Sequence, residues 1–437
     1  MDALNRAIEE LRARYVSANP LSAAADRDAE QYLPGGNTRT VLHFDPFPLT
    51  MAEGEGAELV DLDGHRYVDF VGEYSAGLFG HSESAIKSAV RGALDSGVVM
   101  GAPTAHERKL AQLLCARFPS IDQLRFCNSG TEANIWALTA ARLLTGRRKI
   151  IAFRDAYHGG VIKFPGGHNA MNIPFDFVLA DFNDIDGTKE LIRATGDELA
   201  AVIVEPILGA GGNIAGDRAF LEMLRSATRA AGALLIFDEV KTSRLGPAGI
   251  QGMLGITPDL TTLGKFIGGG LTFGAFGGSR EIMAHFNPKH PAHWSHAGTF
   301  NNNVCTMAAG CVAMGEIYTP QRAQEFLEYS EAFRRSLNEM FAAQDVPMHA
   351  NGMGSMIAIH FSRNPTLRTA DISPGCLALR PLLHLEMLLA GVLICSRGDM
   401  FLSLPMTEDH LAQAREGLGN FIGRRKPLIE ETLKAYS

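Results

Sequence analysis

The chain has 437 residues, of which 46% are hydrophobic and 20% are charged, and its formal net charge is −8. This composition favours a globular protein with a sizeable core, and the length suffices for a large domain with a smaller one attached. The basic residues are scattered, so we expect no nucleic-acid surface, and no apolar run approaches the roughly 20 residues that span a bilayer. The six cysteines form no CxxC motif and are expected to be reduced thiols, which favours a cytoplasmic setting.

The N-terminal part of the chain predicts a helix, a hairpin and a second helix. Residues 1–20 mix charged and apolar residues, as in an amphipathic surface helix. Asp63-Gly64 separates the short runs Glu58–Asp61 and Arg66–Phe70, and an Asp-Gly pair in that position predicts a β-hairpin. Apolar residues then recur at helical spacing over 86–94.

From about residue 125, predicted helices alternate with short buried strands. Strands at Lys149–Phe153, Ala200–Val204 and Leu234–Phe237 are apolar, as in a parallel sheet covered on both faces. The alternation predicts an α/β domain with a mostly parallel sheet, in which ligands bind beyond the carboxyl ends of the strands. The residues at those ends that could carry chemistry are Tyr157, His158, Glu205 and Asp238.

The pattern changes after about residue 306 to long helices around a few short strands. The helices are predicted at Thr306–Ile317, Arg322–Ala343 and Gly375–Leu389, and the strands near Met356–His360 and Phe401–Leu404. We therefore expect a large domain over 51–305 and a smaller α+β domain over 306–437. Residues 1–50 are expected to join the smaller domain and to supply a loop of the substrate site.

A Ser-Gly-Thr turn opens one of the predicted helices. Ser129, Gly130 and Thr131 would present free N–H groups and two hydroxyls to an anion at the helix N-terminus. The helix dipole would add to that attraction. The alternative is an ordinary helix cap made by Ser129 or Thr131.

Two further motifs follow predicted strands. Tyr157 and His158 precede two glycines, so the ring of Tyr157 could stack on a planar ligand, although a plain surface loop is also consistent with this pattern. Asp238 ends a strand that should be buried, where a carboxylate needs a partner such as a protonated ring nitrogen. The alternative for Asp238 is a cap of the next turn.

Lys265 stands alone among apolar and glycine residues. Burial would lower its pKa and make its amine nucleophilic, whereas the alternative is a lysine that reaches the surface. The segment is not a phosphate-binding P-loop, because Phe266 stands where Ser or Thr is required. Three histidines at positions 290, 293 and 296 lack a carboxylate or cysteine to complete a set, so no metal site is expected.

Together these motifs indicate one kind of ligand more specifically than any single motif does. An anion-binding turn, a stacking aromatic, an acid at a strand end and an isolated lysine are the parts that pyridoxal 5′-phosphate (PLP) requires. In this interpretation Lys265 carries the cofactor and Asp238 faces its ring nitrogen.

These motifs resemble those of the class III aminotransferases of PLP fold type I, from about residue 30 to the end of the chain. The resemblance implies an α/β fold, phosphate contacts at Ser129–Thr131, a stacking Tyr157, and Val240 packed against the cofactor ring. It also implies a homodimer with shared active sites, in which Thr299 reaches the phosphate of the partner subunit.

Two branches of the family compete for this chain. Gly35-Gly36-Asn37-Thr38-Arg39 resembles the start of glutamate-1-semialdehyde aminomutases, in which the arginine binds a substrate carboxylate. The segments around Tyr74, Thr299 and Arg397 are more similar to aromatic β-amino acid transaminases of the β-phenylalanine type. Two departures are Cys395-Ser396 before Arg397, where Ser-Pro is commoner, and Lys241 after Val240, where Met or Gln is commoner.

The resemblance favours a transaminase that moves an amino group from an aromatic β-amino acid to 2-oxoglutarate or pyruvate by a ping-pong mechanism. Arg39 and Arg397 are candidates for the carboxylates, and Tyr74 for a pocket wall. A structural salt bridge for either arginine and a core position for Tyr74 remain open. The alternatives for the activity are an aminomutase, an amine–pyruvate transaminase and a non-catalytic module.

Overall fold

The computed structural model describes residues 2–436. Its α-helices are α1 Asp2–Ala18, α2 Pro20–Ala29, α3 Gly72–Ser75, α4 Ser84–Ser96, α5 Ala105–Arg117, α6 Gly130–Thr145, α7 Ile185–Thr195, α8 Arg218–Ala231, α9 Gly249–Leu254, α10 Arg280–Met283, α11 Val304–Val312, α12 Pro320–Ala343, α13 Pro374–Leu389 and α14 Glu408–Ala435. The strands are β1 Met51–Glu55, β2 Glu58–Asp61, β3 Arg66–Asp69, β4 Gln123–Cys127, β5 Lys149–Phe153, β6 Asp176–Ala180, β7 Leu199–Val204, β8 Ile207–Leu208, β9 Ile214–Ala215, β10 Leu234–Asp238, β11 Leu260–Gly264, β12 Gly274–Gly278, β13 His349–Met353, β14 Met356–His360, β15 Val392–Leu393 and β16 Asp399–Phe401.

A seven-stranded sheet with the order β4-β12-β11-β10-β7-β5-β6 lies at the centre of the molecule. β10 pairs in parallel with β7 and β11, and β5 pairs in parallel with β6 and β7. Only β12 among these strands runs antiparallel to its neighbours, β4 and β11. All six residues of β7 are buried, as expected of a strand covered on both faces. The predicted mostly parallel sheet is confirmed.

The predicted hairpin is also present. β2 and β3 pair antiparallel, with Glu58 opposite Val68, and they join β1 and β15 in a second sheet. This sheet unites residues 51–69 with residues 392–393, which are far away along the chain. The N-terminal helix α1 buries Leu11 and Tyr15, and the Tyr15 hydroxyl donates to the Phe47 carbonyl at 3.0 Å. The amphipathic helix predicted for residues 1–20 is therefore packed by its apolar face; Met1 lies outside the described residues.

The C-terminal part contains the predicted long helices α12 and α13 and a three-stranded sheet with the order β13-β14-β16. A strand is present near the predicted range Phe401–Leu404, but it is displaced, because β16 covers Asp399–Phe401. The backbone N–H of Leu404 instead donates to the Leu78 carbonyl at 2.8 Å, outside that sheet. Pro405 follows and has no N–H with which to continue a ladder. The helix predicted at Thr306–Ile317 begins as α11 and continues as a π-helical turn over Ala313–Ile317.

Among residues 2–436 no helix is long and apolar enough to cross a membrane. In the same range no group of three or more His, Cys, Asp or Glu side chains is arranged to hold a metal ion. In parallel sheets ligands bind beyond the carboxyl ends of the strands, so the site is sought at that edge of the central sheet. β4, β11, β10, β7 and β5 all end at that edge, and each is followed within a few residues by one of the residues that the sequence singled out.

Candidate active site

Lys265 follows β11 directly and has a left-handed backbone, with φ of +56°. A non-glycine residue in that region is strained, and such strain is often found at functional sites. The amine Nζ donates to the carbonyl oxygen of Tyr74 at 3.0 Å. Burial first, and then the nearby charge of Lys241, lower the pKa of Lys265 to about 7. Lys265 therefore offers an amine that is substantially neutral near pH 7, as a nucleophile or a base requires.

Asp238 ends β10, and its side chain is almost fully buried and well bonded. Oδ2 accepts from Asn134 Nδ2 at 2.8 Å and contacts His158 Nδ1 at 2.8 Å. Oδ1 accepts from the backbone N–H of Val240 at 3.0 Å. Asn134 is held in turn by the Thr262 hydroxyl, which donates to Asn134 Oδ1 at 2.7 Å. These contacts fix the direction of the carboxylate at the strand end.

His158 packs behind Asp238. Its Nδ1 is occupied by the Asp238 contact, and Asn134 Nδ2 also donates to the His158 carbonyl at 2.8 Å. Its Nε2 is buried without a hydrogen-bond partner in the described part of the chain. The contacts of His158 support a role in positioning Asp238.

The Ser-Gly-Thr turn lies at the N-terminus of α6, where Gly130 approaches Val240 and Gly264. The Ser129 hydroxyl caps the helix by accepting from the backbone N–H of Glu132 at 3.1 Å. The helix cap that the sequence left open as an alternative is therefore present. The Thr131 hydroxyl accepts from the N–H of Gly160 at 3.3 Å. A Cβ at Gly130 would lie 2.8 Å from the Val240 side chain, so glycine is needed where the turn meets Val240. The turn, Val240 and the Tyr157 loop thus surround one space.

Glu205 lies just past β7 and ties two loops together. Its Oε1 accepts from the backbone N–H of Tyr157 at 2.9 Å, and its Oε2 accepts from that of Gly209 at 3.1 Å. Burial raises the pKa of Glu205. The Tyr157 side chain, in contrast, is 46% exposed, so its ring is free to contact a ligand. Glu205 therefore positions Tyr157.

Arg39 and Arg397 come from distant segments and meet at one aromatic ring. The guanidinium carbons lie 5.4 Å and 5.7 Å from the centre of the Tyr74 ring, within the range of a cation–π contact. Arg39 pairs with Glu73, and Arg397 pairs with Asp399 through Nε. Both arginines thus form the salt bridges that the sequence left open. They nevertheless place two guanidinium groups around Tyr74, whose carbonyl accepts from Lys265.

The segment that carries Tyr74 has an unusual backbone. Glu73, Tyr74 and Ser75 all have positive φ, of 48°, 54° and 79°. The buried guanidinium of Arg244 donates to the Ser75 carbonyl at 3.0 Å and to that of Leu402. A cavity of about 1050 Å³ opens beside this segment and is lined by Tyr74 together with Val41, Leu42 and Phe44, although neither Lys265 nor Asp238 lines it.

Thr299 lies in an exposed turn. The same turn is tethered near the Ser-Gly-Thr turn, because Asn128 Nδ2 donates to Asn301 Oδ1 at 2.9 Å. The sequence did not single out Asn134, Thr262 or Arg244. Asn134 could have been found from the sequence, because it is a polar residue just after the Ser-Gly-Thr turn, on the otherwise apolar face of a predicted helix.

The family comparison agrees with this geometry. The family "Aminotransferase class-III" matches residues 42–422. The β-phenylalanine transaminase of Variovorax paradoxus is 45% identical over 98% of this chain and 98% of its own. Glutamate-1-semialdehyde 2,1-aminomutase 1 of Staphylococcus epidermidis is 36% identical over 92% of this chain and 98% of its own. A solved structure of a β-phenylalanine aminotransferase from Variovorax paradoxus superposes with a TM-score of 0.96, covering 97% of this chain and 99% of that one.

The chain belongs to the class III aminotransferases. It is a PLP-dependent transaminase with the α/β architecture of PLP fold type I. The family, fold, enzyme class and cofactor predicted from the sequence are confirmed, and identity is higher to the β-phenylalanine transaminase than to the aminomutase.

Proposed function

We propose that this enzyme moves an amino group from an aromatic β-amino acid, such as β-phenylalanine, to a keto acid in a ping-pong reaction. The observation that carries the proposal is the meeting of Arg39 and Arg397 at Tyr74, whose carbonyl accepts from the amine of Lys265. A carboxylate-bearing substrate held by either guanidinium would have its reacting carbon near that amine. The relative named a β-phenylalanine transaminase supports the choice of donor.

The residues fit PLP. Ser129, Gly130 and Thr131 would hold the phosphate at the N-terminus of α6, where free N–H groups and the helix dipole favour an anion. Asp238 would pair with the ring nitrogen, and its fixed, buried carboxylate suits that role. Tyr157 and Val240 would cover the two faces of the ring. When bound, the cofactor supplies an electron sink for the charge that develops at the substrate carbon.

The protein groups have separate tasks in this reaction. Lys265 would carry the cofactor between turnovers and, once displaced by the incoming amine, would move a proton at the substrate carbon. Asp238 would keep the ring nitrogen protonated, with His158 and Asn134 holding its carboxylate in place. Glu205 would fix the Tyr157 loop. The first half-reaction releases a keto acid, and an acceptor keto acid reverses the steps.

The phenyl group of the donor has a candidate pocket. The cavity beside Tyr74 is lined by the apolar side chains of Val41, Leu42 and Phe44. An aromatic ring placed there would be removed from water, while the carboxylate stayed with the arginines that contact the Tyr74 ring. This arrangement accounts for an aromatic donor with a carboxylate close to its amine.

A panel of donors, each added alone to the PLP-loaded enzyme, tests the proposal. We expect β-phenylalanine to convert the cofactor spectrum faster than phenylalanine or 1-phenylethylamine, which lacks a carboxylate. A general amine–pyruvate transaminase would instead react with 1-phenylethylamine equally well. Conversion by glutamate-1-semialdehyde but not by β-phenylalanine would favour the aminomutase alternative and overturn the proposal.

We also propose that the active enzyme is a homodimer, in which Thr299 contacts the phosphate in the partner subunit. The exposure of the turn that carries Thr299 and its tether near the Ser-Gly-Thr turn support this arrangement. The family resemblance implies the same assembly. The small-molecule partners are then the amino donor and the keto-acid acceptor.

A further inference from the structure

Lys241 is a charged residue of the site that the reaction described above does not use. It lies three residues after Asp238, and its Nζ is 4.8 Å from the centre of the Phe401 ring. A Cβ built on Gly209 would lie 2.4 Å from that Nζ, so the amine of Lys241 lies against the Gly209 backbone. Lys241 thus extends across the loop that Glu205 holds, towards the segment of Arg397 and Asp399.

The ammonium of Lys241 has too few partners. It has three N–H donors, yet in the described part of the chain it makes a single long hydrogen bond, 3.5 Å to Asn213 Oδ1. The carboxylate of Asp399 pairs with Arg397, and both oxygens of Glu205 accept backbone N–H groups, so neither is bonded to Lys241. A cation withdrawn from water without a bonded counter-ion costs free energy. An anionic group bound at Lys241 would therefore be stabilised by a charge-assisted hydrogen bond.

An anion beside Lys241 would favour its charged form, which burial disfavours. Burial lowers the pKa of Lys241, Asp399 and Glu205 raise it, and Arg397 lowers it. Lys241 is half-buried as a residue, and the side chain of Arg397 is 29% exposed. A small molecule entering the site would therefore reach two cations, of which only Arg397 has a carboxylate partner.

Lys241 and Lys265 are carried by segments that touch, because Lys241 follows Val240 and a Cβ built on Gly264, the residue before Lys265, would lie 3.0 Å from the Val240 side chain. After burial, its charge is the strongest influence on the pKa of Lys265. A ligand joined to the site at Lys265 would therefore extend past Lys241 with only a short chain. Monocarboxylic acids of three carbons have no second anionic group to place there.

We infer that Lys241 binds the second carboxylate of a dicarboxylic substrate and thereby makes the enzyme prefer dicarboxylic over monocarboxylic keto acids as amino acceptors. The first carboxylate is held by an arginine at Tyr74. This inference rests on the proposed function, in which a keto acid accepts the amino group. Its binding component can be measured separately from turnover.

Calorimetry on the PLP-loaded enzyme measures that component with two acids of equal length, glutarate and pentanoate. The wild-type enzyme should bind glutarate at least tenfold more tightly, the size expected for a charge-assisted hydrogen bond. Lys241→Met should reduce this ratio towards one, Lys241→Arg should retain most of it, and Lys149→Met, at a surface ion pair, should leave it as in the wild type. Lys241→Gln, which keeps polarity without charge, provides a second neutral variant should Lys241→Met fold poorly.

Steady-state kinetics with β-phenylalanine then compares 2-oxoglutarate with pyruvate. The ratio of their KM values should shift at least tenfold against 2-oxoglutarate in Lys241→Met. An unchanged ratio in both assays, or an equal loss for both acids, would overturn the role of Lys241. If wild-type enzyme transfers nothing from β-phenylalanine but its glutarate preference depends on Lys241, the proposed function fails and the binding role stands.

Discussion

The amine of Lys265 is held by the Tyr74 carbonyl and has a pKa lowered by burial to about 7, from an ordinary value of 10.5. A lysine with a depressed pKa is neutral, and able to attack an aldehyde, above that pKa and protonated below it. We expect the rate at which the apoenzyme condenses with PLP to rise with pH through a midpoint near 7. Stopped-flow absorbance measures it, with Lys265→Ala as the variant that should form no borohydride-reducible adduct. A midpoint near the ordinary lysine value would contradict the burial argument.

Asp238→Asn isolates the charge of the strand-end carboxylate. The amide is similar in shape, so PLP should still bind, but a neutral group does not stabilise a protonated ring nitrogen. We expect the variant to retain cofactor absorbance and to lose at least a hundredfold in kcat, on the order of 3 kcal/mol of transition-state stabilisation. His158→Gln is the comparison: it leaves the carboxylate charged and should lose less. Near wild-type turnover of Asp238→Asn with bound cofactor would exclude this role.

At the level of single residues, the sequence was most informative where a reactive type stood in an unusual setting. Lys265 among glycines and Asp238 at the end of an apolar run were predictable for that reason. Thr262 was not, because its hydroxyl acts through Asn134, a partner 128 residues away along the chain. The meeting of Arg39 with Arg397 was equally hidden, since it depends on how residues 1–50 pack.

The N-terminus of α6 is the element on which phosphate binding depends. Ser129→Ala removes a helix cap and should cost about 1 kcal/mol of stability in the apoenzyme. The matched control is Thr104→Ala, which removes the cap of α5 and should cost a similar amount. Only Ser129→Ala should also weaken PLP binding. Equal PLP affinity for both variants, measured by fluorescence titration, would show that Ser129 is a cap and nothing more.

Elements with strong periodicity were predicted well and irregular ones were not. β5 and β14 lie where the apolar runs put them, because the central positions of buried strands leave little choice of residue. β16 begins and ends earlier than predicted. The apolar run continues through Leu402 and Leu404, but the backbone turns and Leu404 bonds to Leu78 outside the sheet. The positive φ values of Glu73 and Tyr74 have no local sequence signal, because the strain is maintained by tertiary contacts such as that of Arg244.

At the scale of the whole molecule, the proposed dimer makes a prediction about which subunit each Thr299 serves. In a mixed dimer of one Thr299→Ala subunit and one Lys265→Ala subunit, the intact lysine belongs to the Thr299→Ala chain. If Thr299 acts across the interface, that lysine keeps a wild-type phosphate contact from its partner. We expect such dimers to retain PLP at the lysine-bearing site as well as wild type does, while Thr299→Ala homodimers lose it modestly faster. Equally fast loss from both assemblies would place Thr299 at its own subunit's site.

The large-scale layout followed from the alternation of helices and strands, but the joining of distant segments did not. The sheet that pairs β3 with β15 unites residues separated by more than 300 positions, and no local pattern specifies such a partner. The boundaries proposed for the domains at 51–305 and 306–437 therefore remain predictions.

The central claim is that an amino group leaves a β-amino acid and reappears on a second molecule. Mass spectrometry with ¹⁵N-labelled β-phenylalanine tests it most directly, first without and then with 2-oxoglutarate. We predict one equivalent of label retained per Lys265 site when the acceptor is absent, and labelled glutamate accumulating once it is added. Label that stays within rearranged donor molecules, or that is released as ammonia without reaching the acceptor, would contradict the account.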